Sequence, residues 1–416
     1  MISPVDPFTD DHRLGFEPLD ADYHADPYPT LARLREATPT FYHAGLDHWV
    51  VTRYCDVRHA LQTPTEYSAG NALDPLTPLC PHARRILRDG DYAAVPVLTN
   101  VDPPAHARQR RLSNVAFTPK RIVLLEPFVR ELTRRFCDEH FRDGRADMIA
   151  DLAWALPALV LFRILGLPDS DLQRVKAGAR ARGRVIFGHP SDDEQVDAAH
   201  DLVAFWHYAW ALVEERRARG SDDFIGALAQ AENGDEAFTR AELTSLMLSM
   251  LFAGHETTTV LLGDAFVHLL GDRPSWDAIC AEPDLIPNAI EEVLRYDVAL
   301  GWRQRTKEAV EIGGITVPAR AKLLLLLGSA NRDPAVFAQP ERFDVRRPNA
   351  REHLTFGCGP HTCLGAPLAR LEARVVLEEV SGRFPGLRLT AGARLNYVPN
   401  ITLRVPMSVP VTWQLI

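Results

Sequence analysis

The sequence predicts a mainly α-helical protein with small β-sheets, which places it in the α+β class. Apolar residues recur at helical spacing through most of 121–219. An almost entirely apolar run within 239–270 predicts one helix about 45 Å long. Segments with strand character are short and widely separated, and they lie at 40–52, 310–314, 323–327 and 387–413. Helices therefore account for most of the predicted fold.

The first hundred residues alternate short elements with irregular segments. Residues 1–40 are rich in Pro, Asp and Tyr and are predicted to be an irregular lead-in, apart from a helix at 28–37. Residues 40–52 have strand character, and 54–62 are predicted to be helical. Residues 67–100 show few periodic signals and predict a long loop. A loop of that length inside a compact domain is usually functional.

A helix is predicted to start where Asp102 precedes two prolines. His106 and Arg110 lie four residues apart on it and therefore share one face. Such a face can hold an anionic group through charge-assisted hydrogen bonds. A solvated His/Arg face is the alternative, and the spacing alone does not separate the two.

The long central helix carries a capping box at its start, in which Thr239 and Glu242 are spaced as Thr-x-x-Glu. Its apolar body is interrupted at 253–258 by Ala-Gly-His-Glu-Thr-Thr. A glycine and a carboxylate in a buried helix conflict with core packing, and such conflicts tend to mark functional sites. A polar kink buried between helices is the structural alternative.

Three residues of the 253–258 segment have expected roles. Gly254 is expected to let a flat ligand or dioxygen approach the backbone, and Thr257 to bond back to a carbonyl and open the helix locally. Glu256 and Thr257 together are expected to deliver protons through water.

A second unusual stretch is Phe-Gly-Cys-Gly-Pro-His-Thr-Cys-Leu-Gly at 356–365. Cys363 opens a predicted helix, where the macrodipole and free N–H groups are expected to lower the pKa of its thiol. Glycines at 357, 359 and 365 suit a tight turn. A thiolate held beside Phe356 suits an axial iron ligand. An inert buried cysteine, or a partial zinc site with Cys358, His361 and His353, is the alternative.

Composition limits the class of protein. The net charge of −9 argues against a general nucleic-acid binder. The sequence contains no run of eighteen apolar residues, so no membrane-spanning helix is predicted. The first residues lack the features of a signal peptide. Six cysteines are too sparse for a disulfide scaffold, so reduced thiols in a cytoplasm are expected.

The pattern Phe356, Gly359, Cys363 and Gly365 resembles the haem-binding signature of the cytochrome P450 family, and of its soluble bacterial members in particular. The 253–258 segment is similar to the family's oxygen-activation motif, with glutamate as a common variant of aspartate. Further segments of the chain match other motifs of the family in the same order, so the resemblance covers most of the chain. They include the Asp-Pro-Pro-x-His-x-x-x-Arg stretch that contains His106 and Arg110.

The resemblance implies the triangular cytochrome P450 fold as a single domain over 1–416. A haem b would lie between the central helix and the cysteine-loop helix. Cys363 would ligate iron, and Gly254, Glu256 and Thr257 would be catalytic. The residues that would contact the haem are His106, Arg110, Ala253, Arg303, Phe356, His361 and Gly365.

The propionate-binding arginine is the clearest departure from the family pattern. When the family's spacing is counted back from Gly313-Gly314, the position of this arginine is occupied by Gln304. When the family's Trp-Arg pair is aligned with Trp302-Arg303, the arginine is Arg303. We predict Arg303, reconciled by a one-residue bulge, with Arg305 as the alternative.

The resemblance also assigns structural and pocket roles. Glu292, Arg295 and Arg342 are expected to form a buried salt-bridge cluster beneath the cysteine loop. The substrate pocket is predicted to be lined by Leu248, Phe252, Ala253, Val298, Leu300 and Ile401.

The implied function is a monooxygenase that inserts one atom of O₂ into a small organic substrate. Electrons would come from a separate ferredoxin or flavodoxin with its reductase, because no flavin or iron–sulfur segment is found. A basic face formed by Arg108, Arg111, Lys120 and Arg121 is expected to receive that partner. A cytoplasmic monomer without nucleic-acid or membrane partners is predicted. The alternatives are a haem-thiolate enzyme that performs coupling, desaturation or peroxide-driven oxidation, and a haem-based sensor.

Overall fold

The computed structural model of the chain describes residues 15–220, 223–230, 237–297, 299 and 301–414. Helices and small sheets make up the described residues, as the sequence predicts. The helices before the central one are, in order, α1 Ala21–Ala25, α2 Tyr28–Ala37, α3 Tyr54–Gln62, α4 Pro81–Asp89, α5 Ala105–Ala116, α6 Pro119–Val123, α7 Glu126–His140, α8 Leu156–Leu165, α9 Leu172–Phe187, α10 Asp192–Arg219 and α11 Phe224–Gln230. The remaining helices are α12 Arg240–Gly271, α13 Arg273–Ala281, α14 Ile286–Tyr296, α15 Leu327–Ala330 and α16 Ala366–Arg383.

Within the described residues, short strands form four small sheets. Their bounds are β1 Thr40–His43, β2 His48–Val51, β3 Tyr67–Ser68, β4 Arg145–Asp147, β5 Trp302–Thr306, β6 Val310–Ile312, β7 Ile315–Val317, β8 Lys322–Leu325, β9 Arg388–Leu389, β10 Tyr397–Val398, β11 Val405–Pro406 and β12 Pro410–Thr412. The largest sheet has the order β1-β2-β8-β5-β3, with only the β2–β8 pair parallel. The leucine-rich β8 lies at its centre, where both faces are buried.

The central helix α12 forms as predicted. Thr239 is its N-cap, and the reciprocal bonds of the capping box with Glu242 are both present. The helix then runs for 32 residues and packs against α8, α9 and α10. Most of its side chains are buried, because apolar residues surround the axis on all sides.

Local expectations outside α12 are mostly confirmed. The helices at 28–37 and 54–62 have the predicted bounds, and 40–52 forms the β1–β2 hairpin. The loop predicted over 67–100 was wrong in part, since it contains α4, which is capped by Cys80. In the described part of the chain no helix is long and apolar enough to cross a bilayer.

Candidate functional site

The loop before α16 presents the sulfur of Cys363 at a helix start. Cys363 N–H donates to the Phe356 carbonyl at 2.8 Å, which closes the loop on itself. Gly357 and Gly359 have φ of +65° and +79°, and a Cβ at Gly359 would lie 2.7 Å from the Leu61 carbonyl. Both glycines are therefore required by this turn. Gly365, in contrast, is the N-cap of α16 with an ordinary negative φ.

The lowering of the Cys363 thiol pKa that was expected from the helix start is not found. Burial raises the pKa of the Cys363 thiol above its usual value. The N–H groups of Gly365 and Ala366 act in the opposite direction, as do the charges of Arg110 and Arg370. The helix start therefore favours the thiolate but does not outweigh desolvation. A metal cation bound to the sulfur would deprotonate it outright.

Three basic residues predicted to hold anionic groups lie together beside the loop. The rings of His106 and His361 are 4.1 Å apart, and Arg110 donates to the Thr362 carbonyl at 2.7 Å. Burial, with the charges of His361 and Arg110, lowers the pKa of His106 to about 4. His106 Nε2 and His361 Nδ1 are buried and have no hydrogen-bond partner among the described residues. Two buried ring nitrogens thus remain available to a ligand.

The middle of α12 presents an accessible row of small residues. Ala253 and Thr257 are solvent-accessible although this helix is otherwise mostly buried, and Thr257 Oγ1 donates to the Ala253 carbonyl at 2.7 Å. This back-bond was predicted, but the helix stays continuous through it. Gly254 has a packing role that was not predicted: a Cβ there would lie 3.0 Å from the side chain of Leu161 on α8. Gly254 therefore permits close helix packing, away from the accessible row.

Glu256 does not contact Thr257 but points to other charged groups. Its Oε1 lies 3.4 Å from Lys176 Nζ on α9 and 2.9 Å from His255 Nε2. Burial alone would raise the pKa of Glu256, but the nearby His255 and Lys176 outweigh it and lower the pKa to about 2. Burial lowers the pKa of both His255 and Lys176. Glu256 is thus a carboxylate at neutral pH.

Arg303 makes backbone contacts that the sequence did not predict. The β5–β8 register is continuous from Trp302 to Arg305, so the predicted bulge is absent. Arg303 Nη2 instead donates to the carbonyls of Ala72, Asp74 and Ile186 at 2.7–3.1 Å. Gln304 faces the opposite side of the strand, and its buried Oε1 has no partner in the described part of the chain. The alternative, Arg305, lies 3.7 Å from Asp74.

The buried salt-bridge cluster contains a different second arginine from the predicted one. Arg295 donates to both oxygens of Glu292 at 2.7 and 2.8 Å, as expected. Arg342 is wrong as the third member, because its side chain is 67% exposed and lies nearest to Asp344. Arg347 takes that position with its Nε 3.0 and 3.1 Å from Glu292. The chain turns sharply between the two arginines, and sequence spacing does not reveal which one points inward.

A second buried carboxylate, Glu291, was missed. It accepts two bonds from Arg370 at 2.7 and 2.9 Å and lies 3.1 Å from His353 Nε2. Burial would raise its pKa, but these partners lower it to about 2. The Arg370 guanidinium also lies 4.6 Å from the centre of the Phe356 ring. Glu291 thereby fixes the arginine that packs on the cysteine loop.

The predicted pocket residues are only partly brought together. Phe252 on α12 lies near Phe187 at the end of α9, with ring centres 5.9 Å apart. Ile401 N–H donates to the Phe187 carbonyl at 3.4 Å. Leu248 is only 1% exposed and belongs to the main core, so it does not line an accessible surface. Val298 and Leu300 lie outside the described residues.

The predicted basic face is also revised. Arg108 pairs with Glu242 and lies over the Phe238 ring, so it is not free to meet a partner. Lys120 and Arg121 are exposed, next to Val123 and Leu124, which are 61% and 71% exposed. This surface adjoins the outer side of α16.

Comparison with known proteins places these residues in a family. Residues 202–385 match the family model described as Cytochrome P450. The chain is 34% identical to cytochrome P450 monooxygenase PikC of Streptomyces venezuelae, with 95% of this chain and 93% of that protein covered. It is 35% identical to 6-deoxyerythronolide B hydroxylase of Saccharopolyspora erythraea, with 89% and 92% covered.

A solved structure is similar over nearly the whole fold. Cytochrome P450 CREJ in complex with (4-ethylphenyl) dihydrogen phosphate superimposes with a TM-score of 0.93 at 38% identity. The match covers 96% of this chain and 99% of that one. Agreement over this extent confirms the predicted fold class.

Proposed function

The chain belongs to the cytochrome P450 family, and we propose that it is a single-domain haem-thiolate monooxygenase in which Cys363 ligates the haem iron. Proteins of this family hold haem b through a cysteine thiolate. The observation that carries the assignment is the placement of one sulfur. Cys363 lies at the start of α16, in a loop that two left-handed glycines and the Phe356 carbonyl hold in shape. The N–H groups of Gly365 and Ala366 favour its charged form.

The surrounding residues fit a haem. Haem carries two carboxylates, and the unpartnered nitrogens of His106 and His361, with Arg110, provide donors beside the cysteine loop. When bound, the haem supplies the activation of dioxygen, which electron donation from the thiolate favours. Ala253 would pack on the macrocycle from α12. Arg303 is excluded from this set because its Nη2 already serves three backbone carbonyls.

We assign proton handling to Thr257 and Glu256. The Thr257 hydroxyl lies on the accessible row of α12, where it can hold a water next to the reacting atoms. Glu256 is ionised at neutral pH, so it acts as a proton acceptor that relays protons from outside. Its side chain is 31% exposed and tied to Lys176, so relay requires that this contact open. An acid–threonine pair favours dioxygen over peroxide as the oxidant.

We propose that electrons arrive from a ferredoxin or flavodoxin that binds the face of Lys120, Arg121, Val123 and Leu124. Exposed cations beside exposed apolar side chains suit an acidic protein partner. The face adjoins α16, which carries the cysteine loop at its start. A cytoplasmic location is part of the proposal, and the six unpaired cysteines suit it.

The test is a reconstituted reaction. The haem-loaded protein is supplied with a ferredoxin, its reductase, ¹⁸O₂ and a compound selected by its shift of the haem spin state. One ¹⁸O atom in the product is expected, and Thr257→Ala should consume reductant without forming as much product. Products that lack ¹⁸O would contradict the monooxygenase assignment, and equal coupling in the variant would contradict the role of Thr257.

A further inference from the structure

One buried arginine on α9 has no carboxylate partner. Arg182 is 9% exposed, and no carboxylate oxygen of the described residues lies within 4.0 Å of it. Its Nη1 lies 3.3 Å from the Tyr92 hydroxyl and its Nη2 3.5 Å from the Ser249 hydroxyl, which are long contacts to neutral groups. Its Nε is buried without any partner in the described part of the chain.

Some other buried arginines of the described residues are neutralised by a carboxylate, while the buried Arg35 and Arg303 donate short hydrogen bonds to backbone carbonyls instead. Arg295, Arg332 and Arg404 all lie next to a carboxylate, from Glu292, Glu341 and Asp297 respectively. An arginine cannot lose its proton in a protein, so burying it without an anion carries a cost. Arg182 bears that cost in this structure, which points to an anion that it binds.

Through its contact with Ser249, Arg182 lies on the face of α12 that carries the accessible row. Ser249 lies one helical turn before Ala253 and two before Thr257, so the three share a face. A turn of four residues spans about 6 Å, which places Arg182 about 6 Å along the axis from Ala253 and about 12 Å from Thr257. The paired rings of Phe252 and Phe187 join the same two helices. A buried cation and a pair of aromatic rings therefore lie between α9 and α12, close to Ala253.

Arg303 adds positive charge to the same region. It donates to the carbonyl of Ile186, one turn after Arg182 on α9, and lies 5.8 Å from the Phe187 ring. Its Nη2 is occupied by carbonyls, so it contributes mainly through its charge.

We propose that Arg182, with the hydroxyls of Tyr92 and Ser249, binds an anionic head group of the substrate, a carboxylate or a phosphate monoester. The guanidinium provides paired donors, and both hydroxyls can turn their protons toward the anion. A substrate with an apolar body of about one aromatic ring and a short chain spans the distance to Thr257. This proposal rests on the monooxygenase function, since it gives the class of molecule that the enzyme oxidises.

The experiment compares matched anionic and neutral compounds. The ferric holoenzyme is titrated with 4-propylbenzoate against its methyl ester, and with 4-propylphenyl phosphate against 4-propylphenol, and Kd is taken from the spin-state shift. Inorganic phosphate is added as a competitor. Thermal shifts with the same compounds provide a readout that does not depend on the haem spectrum.

Three variants make the comparison specific. Arg182→Gln removes the charge, and Arg182→Lys retains it. Arg184→Gln is the matched control, because Arg184 lies on the same helix but is 42% exposed and faces Glu194. At least one anion should bind more tightly than its neutral partner, and Arg182→Gln should weaken that anion roughly 10- to 100-fold while sparing the neutral compound. The control should keep the wild-type preference.

Equal affinity for both members of each pair in the wild-type protein would overturn the proposal. An unchanged anion preference in Arg182→Gln would also overturn it. Carboxylate and phosphate are distinguished by which pair shows the preference. If Arg182→Gln does not fold, the affinities of the wild-type protein and of Arg182→Lys for the anionic and neutral compounds still decide whether the proposal holds. Failure of the monooxygenase assignment would instead appear as absence of thiolate-ligated haem, which leaves the thermal-shift comparison valid.

Discussion

Replacing Arg347 by alanine is expected to lower the free energy of unfolding by about 3 kcal/mol, whereas the same change at Arg342 is expected to cost less than about 0.5 kcal/mol. The Nε of Arg347 contacts both oxygens of the fully buried Glu292. Its other donors bind the carbonyls of Ala338 and Arg342 at 2.6 and 2.7 Å. Truncation therefore leaves several buried acceptors without a donor.

The magnitude follows from what remains in the cluster. Removal of one partner of a buried ion pair costs about 3–5 kcal/mol, and Arg295 still pairs with Glu292 in the variant, so the lower end applies. Arg342 contributes only its carbonyl, which alanine retains.

The assay is urea denaturation of the haem-loaded proteins, followed by far-ultraviolet circular dichroism, with Arg342→Ala as the matched control from the same turn. Equal losses in the two variants, or a larger loss in Arg342→Ala, would refute the assignment of Arg347 to the cluster.

Three further predictions concern charge and packing. The pKa of Glu291 is lowered from 4.5 to about 2, so the stability that its carboxylate contributes above pH 4.5 should disappear as the pH falls toward 2. Glu291→Gln should flatten this part of the profile of unfolding free energy against pH, measured by urea denaturation. An unchanged profile in the variant would contradict this role of Glu291. The stability contribution of Glu372 should depend on pH in the opposite direction, because burial raises its pKa. The free energy of unfolding should therefore fall by up to about 1.4 kcal/mol per pH unit above pH 4.5. Glu372→Gln should remove that slope, and persistence of the slope in the variant would show that another group is responsible. Gly254→Val should cost about 1–3 kcal/mol by contact with Leu161, and combination with Leu161→Ala should cost less than the sum of the two single changes in the same denaturation assay; strict additivity would place the new side chain elsewhere.

The parts of the site that the sequence predicted are those set by local spacing. The capping box of α12, the back-bond of Thr257 to Ala253 and the left-handed turn at Gly357 each depend on residues within a few positions of one another. Local geometry of this kind is fixed by backbone chemistry, so the pattern is sufficient.

The errors arise where a side chain chooses between distant partners. Arg303 binds carbonyls that are more than a hundred residues away, and Glu256 is held by Lys176 across two helices. The closeness of Leu161 on α8 to Gly254 on α12 was likewise not predicted from the sequence. Such choices depend on tertiary packing, which spacing along one chain does not specify.

The central claim is that the Cys363 sulfur ligates the haem iron, and the carbon-monoxide difference spectrum of the reduced protein tests it most directly. The wild-type protein should show the band that is diagnostic of thiolate ligation, and Cys363→Ala should lose it while Cys358→Ala, in the same loop, retains it. An unchanged band in Cys363→Ala, or its absence from a haem-loaded wild-type protein, would contradict the account.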